Sequence, residues 1–399
     1  DAFDPKNPRL VRKGNSNEVN KFVKDLTGEK ISGLITIGVN PVLNLSNGSV
    51  ISDAIKKLDF SLSFSLKMDE TASACNYVAA TNHYLESWGD YEFKTGYYFL
   101  AQPTIRPLFD TYQFQDFILE ILGENENYYS FIKKYWTDNL LGGYSFSKAL
   151  HDGYYKKAYS IKNNLSFSPK DMLAKASILV EKNKKGMSLI LYPKTGMGDG
   201  QQANNPWLKE FPDPITRVSW DNYITISKKD ADAIGLKNVS VANGALNGSY
   251  ANVKVENQTL IAPVLIQPGQ SEGTVGLAFG FGNKMGLKKE MQVGVNAYRL
   301  YINQNRVQKV SITPADGFHE FACVQLHNTL MGRGDIIKET SLEVFNTKEK
   351  ELWNPIPKVS KNHMETEVTS PEVGIWQEYD RSIGHHFNLS IDLNSCTGC

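Results

Sequence analysis

The sequence predicts a mixed fold, in which a doubly wound α/β domain is followed by a β-rich domain. In the first part of the chain, an apolar strand, an amphipathic helix and a second strand follow one another, which is typical of a doubly wound sheet. In the later part, short apolar runs alternate with turns that contain Gly and Pro, which indicates a β-barrel or a sandwich. A third feature is an alternating strand pattern that leads into two cysteines near residue 399.

Length and composition exclude several classes of protein. The 399 residues suggest roughly two or three domains. The 43 basic and 43 acidic residues leave no net charge, so we expect no nucleic-acid partner. Four cysteines do not indicate a disulfide scaffold, and no apolar run approaches the ~18 residues of a membrane span. The first residues show neither an initiator Met nor a signal pattern, so we expect them to be an internal starting point.

The first elements have clear local signals. Residues 15–26 predict a helix with a capping pair at its start and Gly28 at its end. The buried strand Leu34–Ile37 leads into the turn Gly38-Val39-Asn40-Pro41. Such a turn lies at the carboxyl end of a parallel strand, where α/β sheets bind ligands. Gly and Pro also mark turns that bind nothing, so a simple connection is the alternative.

A second helix over residues 51–58 and a second strand over 60–66 complete the predicted α/β unit. The polar and aromatic stretch that follows offers His83 with Glu86 or Asp90 as an acid/base or ligand set. The alternative is a loop network in which these groups satisfy one another.

The remaining elements belong to a helical arm and to the β-rich domain. Residues 114–159 are helical and aromatic, and we predict that this arm packs on the sheet domain. The long loop 192–214 indicates a functional segment or an interface. Strands are predicted over 187–191, 223–227, 253–255, 260–266 and 276–281, with a helix over 229–234.

Two groups in the β-rich part allow more than one interpretation. Gly280-Phe281-Gly282 lacks the further Gly and Lys of a phosphate loop, so we predict a barrel strand with close backbone approach. His319, Cys323 and His327 are spaced four apart and share roughly one face. Three ligands are too few for a structural zinc, so a metal site is the weaker interpretation.

The residues near position 399 predict a redox site. Phe387–Leu393 alternates apolar and polar residues, as a half-buried strand does, and leads to Cys396 and Cys399. Two cysteines at this spacing can bind an iron–sulfur cluster. They could also form half a zinc site, a redox dithiol or two unrelated thiols, and the residues alone leave these alternatives open.

Taken in order, these stretches resemble the molybdopterin oxidoreductase superfamily, from the later part of its large subunit through its C-terminal barrel. On the sheet side the resemblance depends on Gly38-Val39-Asn40-Pro41, Asp69-Glu70-Thr71-Ala72 and residues 83–90. On the barrel side it depends on residues 204–208, 212–214, 220–222, 325–327 and 332–335. The predicted barrel is therefore of the C-terminal type of this superfamily, and it ends at the start of a ferredoxin-like domain.

A narrower resemblance is to the fused subunit of alternative complex III, in which a molybdopterin-oxidoreductase-like half runs into an iron–sulfur half. Residues 102–108, residues 150–153 and His385-His386 before residues 391–393 are similar to that branch. It implies quinol oxidation by a membrane-associated respiratory complex that passes electrons through iron–sulfur clusters toward c-type haems. It also implies membrane subunits and c-type cytochromes as partners, on the periplasmic face of the inner membrane.

The resemblance also implies a cofactor and a division into domains. Cys396 and Cys399 would bind a [4Fe-4S] cluster whose other ligands lie largely beyond residue 399, with His385 and His386 as tuning or simple packing residues. Residues 74–80 lack the Asp and Leu-Pro typical of cofactor-loaded enzymes, so we expect no molybdenum and no catalytic residue here. The predicted domains are 1–165 (partial α/β with arm), 166–345 (barrel), 346–384 (linker) and 385–399 (iron–sulfur).

Two other functions remain open at this stage. The first is a working molybdenum bis-pterin oxidoreductase of the sulfur-compound or dimethyl-sulfoxide type. The second is a structural interaction module in which the cysteines are incidental. Whether the chain is itself an enzyme or only a subunit of one depends on this choice.

Overall fold

The computed structural model describes residues 15–158, 172–177, 180, 186–241, 245–324, 338–370, 373–374, 379–387, 389–392 and 394–395. The chain forms two compact units, Asp1–Leu326 and His327–Cys399. The mixed α/β character predicted from the sequence is confirmed by a parallel sheet, an antiparallel sheet and a large mixed sheet in the first unit.

The first unit begins with a parallel sheet of three strands in the order β1-β2-β3, flanked by three helices. Their bounds are Ser16–Thr27 (α1), Gly33–Ile37 (β1), Pro41–Asn44 (α2), Gly48–Lys56 (α3), Phe60–Ser65 (β2) and Tyr77–Ala80 (β3). The predicted capping of α1 is confirmed, because Asn15 accepts hydrogen bonds from the backbone N–H groups of Asn17 and Glu18, and Gly28 caps the other end. Leu26, Ile51 and Ile55 are buried between α1, α3 and the sheet.

A second three-stranded sheet is antiparallel and carries the helical arm on one face. Its elements are Gly89–Lys94 (β4), Tyr97–Ala101 (β5), Phe114–Ile121 (α4), Tyr128–Tyr135 (α5), Phe146–Asp152 (α6) and Tyr154–Lys156 (β6), with a π-helical turn at Trp136–Leu140. Trp136 is fully buried at the centre of the arm. The sequence predicted helix through residue 159, but the chain returns as β6 because Gly153 has left-handed backbone and ends α6.

The third sheet closes on itself. Its strands lie in the order β10-β11-β12-β9-β13-β7-β14-β8, and β11 also pairs with β14. Six strands, from β11 through β12, β9, β13 and β7 to β14, therefore form a closed ring. The bounds are Met187–Pro193 (β7), Pro206–Glu210 (α7), Val218–Ser219 (β8), Ile224–Ile226 (β9), Lys228–Ile234 (α8), Asn238–Ser240 (β10), Leu246–Val255 (β11), Gln258–Ile266 (β12), Thr274–Phe279 (β13) and Val307–Cys323 (β14).

Of the two predicted β-rich architectures, the closed ring is a barrel and not a sandwich. Side chains from the ring strands fill its interior, among them Leu189, Ile224 and Val264, which are fully buried. Its assignment to the C-terminal barrel type of the molybdopterin oxidoreductases stays a prediction, as does the predicted boundary between residues 165 and 166.

The second unit contains the elements Leu342–Thr347 (α9), Lys350–Trp353 (α10), Lys358–Lys361 (β15) and Met364–Glu367 (β16), of which the two strands form an antiparallel hairpin. The predicted strand over residues 387–393 is wrong for the residues that the structure describes there. Phe387 is 98% exposed and Leu389 86% exposed, so the alternating pattern buries no apolar face. Alternation alone cannot supply the partner strand that a half-buried strand needs.

None of the helices in the described part of the chain combines the length and the apolar character needed to cross a bilayer.

Candidate functional site

The carboxyl edge of the parallel sheet meets the barrel, and we call this contact the sheet–barrel junction. β1 ends at Ile37, and the left-handed backbone of Gly38 (φ 58°) turns the chain toward Asn40 and into α2. The Gly38 N–H donates to the Phe64 carbonyl of β2 (2.9 Å), which holds the turn against the sheet. This is the edge at which the sequence predicted a ligand or a simple connection.

The Asn40 side chain is the centre of the junction. Its Oδ1 accepts hydrogen bonds from the Thr71 backbone N–H (3.2 Å) and from Thr71 Oγ1 (2.8 Å). Its Nδ2 donates to Glu70 Oε2 (2.8 Å). Thr71 Oγ1 in turn accepts the Val42 N–H (3.1 Å) at the first turn of α2. Two stretches that the sequence singled out separately, 38–41 and 69–72, are thus one hydrogen-bonded network.

Glu70 connects this network to the barrel. Its second oxygen, Oε1, accepts the backbone N–H groups of Lys284 (2.8 Å) and Met285 (3.2 Å), which lie in the segment after β13. Hydrogen bonds to a carboxylate are stronger than bonds between neutral groups. A single side chain therefore joins the two parts of the fold.

Further contacts cross the junction. Asn296 Nδ2 donates to the Leu43 carbonyl (3.0 Å), and Lys67 Nζ donates to the Gln201 carbonyl (2.7 Å). A Cβ at Gly286 would lie 2.7 Å from the Met68 carbonyl oxygen, so only Gly permits this approach.

Burial shifts the pKa values of two charged side chains beside the junction. Asp69 is buried, and burial raises the pKa of its carboxyl, although the Ala72 N–H and the Ser65 hydroxyl donate to it. Burial also lowers the pKa of Lys67, against the attraction of Asp69.

The polar groups of the junction can be compared with the needs of a molybdopterin cofactor, which carries phosphate and requires hydrogen-bond donors. The donors at Asn40 Nδ2, Val42 N and Lys284 N are already used within the protein. Two buried acceptors, Asn44 Oδ1 and Asn283 Oδ1, have no hydrogen-bond partner among the described residues. These three donors therefore join two parts of the fold and are not free to bind a phosphate group.

A second polar cluster lies at the barrel and was not predicted as a unit. His319 Nδ1 lies 3.0 Å from the Tyr250 hydroxyl, and its Nε2 lies 2.7 Å from Asp221 Oδ2. Lys194 Nζ donates to the Asp221 carbonyl (3.2 Å) and lies 4.3 Å from the centroid of the Tyr223 ring. The sequence had proposed His319 only as a metal ligand.

Two lysines in this region are buried. Lys194 is 8% exposed and Lys209, whose Nζ donates to the Met291 carbonyl (2.6 Å), is 2% exposed. Burial lowers the pKa of each ammonium to about 8. No pattern in the sequence distinguishes these lysines from exposed ones, because their burial depends on contacts distant along the chain.

The other predicted groups separate into local networks. His83 and Glu86 form a reciprocal helix cap, with the His83 N–H donating to Glu86 Oε2 (2.9 Å), so the loop-network interpretation is confirmed for this pair. Asp90 instead accepts from the Tyr128 hydroxyl and from Trp136 Nε1.

The close approach predicted for Gly280-Phe281-Gly282 is confirmed. A Cβ on Gly282 would lie 2.3 Å from the Asn296 nitrogen, and Gly280 Cα would lie 2.7 Å from a Cβ on Gly200. The strand itself ends earlier than predicted, at Phe279.

The predicted cluster ligands Cys396 and Cys399 lie outside the described residues, as does His327. His385 and His386 are described and exposed. Among the described residues, no group of three or more His, Cys, Asp or Glu side chains is arranged to hold a metal. Burial raises the pKa of the Cys75 thiol, and that of Cys323 to about 11, which fits protonated, half-buried thiols.

Comparisons with known proteins extend this description. The chain is 26% identical over 261 residues, 63% of its own length, to a molybdopterin-binding-like subunit. That protein is the menaquinone reductase, molybdopterin-binding-like subunit, of Nitratidesulfovibrio vulgaris. The chain spans about a third (36%) of this relative's length. The relationship supports the resemblance to the molybdopterin oxidoreductase superfamily.

A solved structure is also similar to the chain. Acetylene hydratase from Pelobacter acetylenicus matches with a TM-score of 0.40 and 13% identity, over 67% of this chain and 39% of that one. No protein-family model matches the sequence.

Proposed function

We propose that this chain is part of a membrane-associated quinone oxidoreductase complex, in which its α/β and barrel parts serve as a scaffold for electron transfer. The 26% identity to a menaquinone reductase subunit supports this role. The name of that relative concerns quinone reduction, whereas the resemblance to alternative complex III implies quinol oxidation. The two sources therefore differ in the direction of electron flow, and the proposal takes the direction of quinol oxidation.

The finer proposal concerns the redox centre. Cys396 and Cys399 bind one [4Fe-4S] cluster together with cysteines further along the encoded protein, and electrons pass from there toward c-type cytochromes. Partner subunits hold the chain at the periplasmic face of the inner membrane.

The single observation that carries the scaffold role is that donors at the sheet–barrel junction are already hydrogen-bonded within the protein. Asn40 and Glu70 connect the two loops of the sheet edge to each other and to the barrel, and the donors Asn40 Nδ2, Thr71 N and Lys284 N are used inside the protein. This supports a junction without molybdenum.

Metal analysis of the purified full-length protein tests the proposal. We expect iron without molybdenum, and we expect the double variant Cys396→Ser/Cys399→Ser to lose the iron and its electron paramagnetic resonance signal. The matched control is Cys75→Ser/Cys323→Ser, which removes the two half-buried thiols of the first unit and is expected to keep the iron. Iron that survives the first variant would contradict the cluster assignment.

The second candidate is a molybdenum bis-pterin oxidoreductase. The buried oxygens of Asn44 and Asn283, which have no described partner, favour it, because they could accept the N–H groups of a pterin. Molybdenum in the purified protein would establish this alternative, and the absence of both metals would favour a structural interaction module.

A further inference from the structure

The outer face of the sheet β4-β5-β6 is aromatic. The strand register places Tyr91 opposite Phe99, and Phe99 opposite Tyr154, in one row across all three strands. Neighbouring residues point the other way: Tyr98 and Tyr155 pack against the buried core of the helical arm. The helices therefore cover one face of this sheet and leave the aromatic row on the other.

Three of the rings on the outer face are about half exposed to solvent. Tyr91, Phe93 and Tyr154 are 45%, 46% and 53% exposed. Tyr91 and Phe93 stack with a centroid distance of 5.3 Å, and Phe93 also contacts Phe99 at 5.6 Å. A contiguous exposed aromatic surface of this kind marks an interaction site more often than scattered apolar residues do.

Two lysines lie on the same face. Lys94 and Lys156 place their ammonium groups over the ring of Tyr97, at 5.4 and 5.0 Å from its centroid. Apart from the small residues Gly89 and Ala101, the outward positions, which we call the aromatic face, are aromatic or basic and include no carboxylate: Tyr91, Phe93, Lys94, Tyr97, Phe99, Tyr154 and Lys156.

We propose that the aromatic face docks directly on an anionic phospholipid bilayer. Aromatic rings favour the boundary between headgroups and acyl chains, and lysines attract anionic headgroups. A sheet face is broad enough to lie on a planar surface, and the backbone polar groups that pair between the strands are already satisfied.

The composition favours lipid over a protein partner. Protein interfaces are enriched in Arg and depleted in Lys, whereas surfaces that bind membranes combine basic residues, Lys among them, with aromatic and other apolar residues. The aromatic face has two lysines and no arginine. The inference goes beyond the proposed redox role and does not depend on it, because lipid binding can be measured without electron transfer.

Vesicle flotation tests the proposal. The purified full chain is mixed with vesicles of phosphatidylcholine containing phosphatidylglycerol, and in parallel with vesicles of phosphatidylcholine alone. We expect binding to the anionic vesicles only, and weaker binding as salt rises. Replacing both lysines by Gln is expected to lower the partition coefficient about thirtyfold. Tyr91→Ser/Phe93→Ser/Tyr154→Ser is expected to abolish binding.

Matched controls distinguish vesicle binding by this face from nonspecific binding. Trp207→Ser/Tyr84→Ser removes exposed aromatic surface elsewhere, and Lys288→Gln/Lys289→Gln removes exposed charge elsewhere. Both controls are expected to bind vesicles like the unmodified chain, and circular dichroism verifies that every variant is folded. Absent binding, or equal binding by the face variants and the controls, would overturn the proposal. Loss of a co-purifying subunit, without any vesicle binding, would assign the face to a protein partner instead.

Discussion

The two three-stranded sheets of the first unit use their polar and aromatic residues in opposite ways. At the edge of the parallel sheet, the side chains of Asn40, Glu70 and Thr71 are hydrogen-bonded within the protein. On the antiparallel sheet, Tyr91 and Tyr154 face outward and are about half exposed. The part that resembles a ligand-binding edge therefore stabilises the fold, while the available surface lies on the antiparallel sheet.

The strongest test of this contrast is to remove the side chain that joins the sheet to the barrel. Glu70→Ala leaves the N–H groups of Lys284 and Met285 and the Asn40 amide without their acceptor. We expect the free energy of unfolding to fall by about 2 kcal/mol, since hydrogen bonds to charged groups are worth about 1.5–3 kcal/mol. Urea denaturation of the first unit measures this loss.

The matched control lies on the other sheet. Glu92 accepts one hydrogen bond from Gly96, within its own hairpin (2.9 Å), and Glu92→Ala is expected to cost less than Glu70→Ala. Glu70→Gln should lie between the two, because its amide keeps one acceptor but turns a donor toward the Asn40 amide. Equal losses for Glu70→Ala and Glu92→Ala would show that the junction contributes no more than a surface hairpin.

Local signals explain what the sequence predicted correctly. The cap of α1 depends on residues within three positions of each other, and Gly235 ends α8 because its backbone is left-handed. Strands were also predicted over residues 253–255 and 260–266, since two apolar runs flank a short polar turn at Glu256 and Asn257, and these strands pair as the hairpin of β11 and β12.

Contacts between distant residues explain what the sequence left open. Lys254 of β11 pairs with Ser311 of β14, and this closure of the barrel has no local signal. The junction is similar: the motif residues were identified, but the bond from Glu70 to Lys284 joins positions 214 apart. Over residues 387–393, the alternating pattern was present, and the described residues form no strand.

A second test concerns buried charge in the barrel. Lys209 has a folded-state pKa of about 8, below its ordinary value of 10.5, so the unfolded chain binds more protons between these values. Stability therefore rises with pH across this window, by at most about 1.4 kcal/mol per pH unit from this one group. Lys209→Met is expected to remove that slope, as measured by urea denaturation at pH 8 and 9.

The comparison between variant and unmodified chain isolates Lys209 from other groups. The raised pKa of Cys323, about 11, lowers stability as pH rises above 9. The lowered pKa of Lys194 makes stability rise with pH, as that of Lys209 does. Both groups are present in the variant and in the unmodified chain, so their effects cancel in the comparison. The control Lys289→Met changes an exposed lysine and is expected to leave the slope intact. An unchanged slope in Lys209→Met would mean that its ammonium is solvated.

The smallest expected effect is on the aromatic face itself. Tyr91→Ser/Tyr154→Ser should change the free energy of unfolding by no more than about 0.5 kcal/mol for each substitution, because both rings face outward. Tyr98→Ser, on the opposite side of the same sheet, removes a ring that packs edge-on against the buried Trp136 and should cost clearly more. If the outward pair proved as costly as Tyr98, the aromatic face would be a packed surface within the chain, and the contrast between the two sheets would disappear. If only Tyr98→Ser lowers the free energy of unfolding, the outward rings contribute little to stability, which agrees with a role in docking.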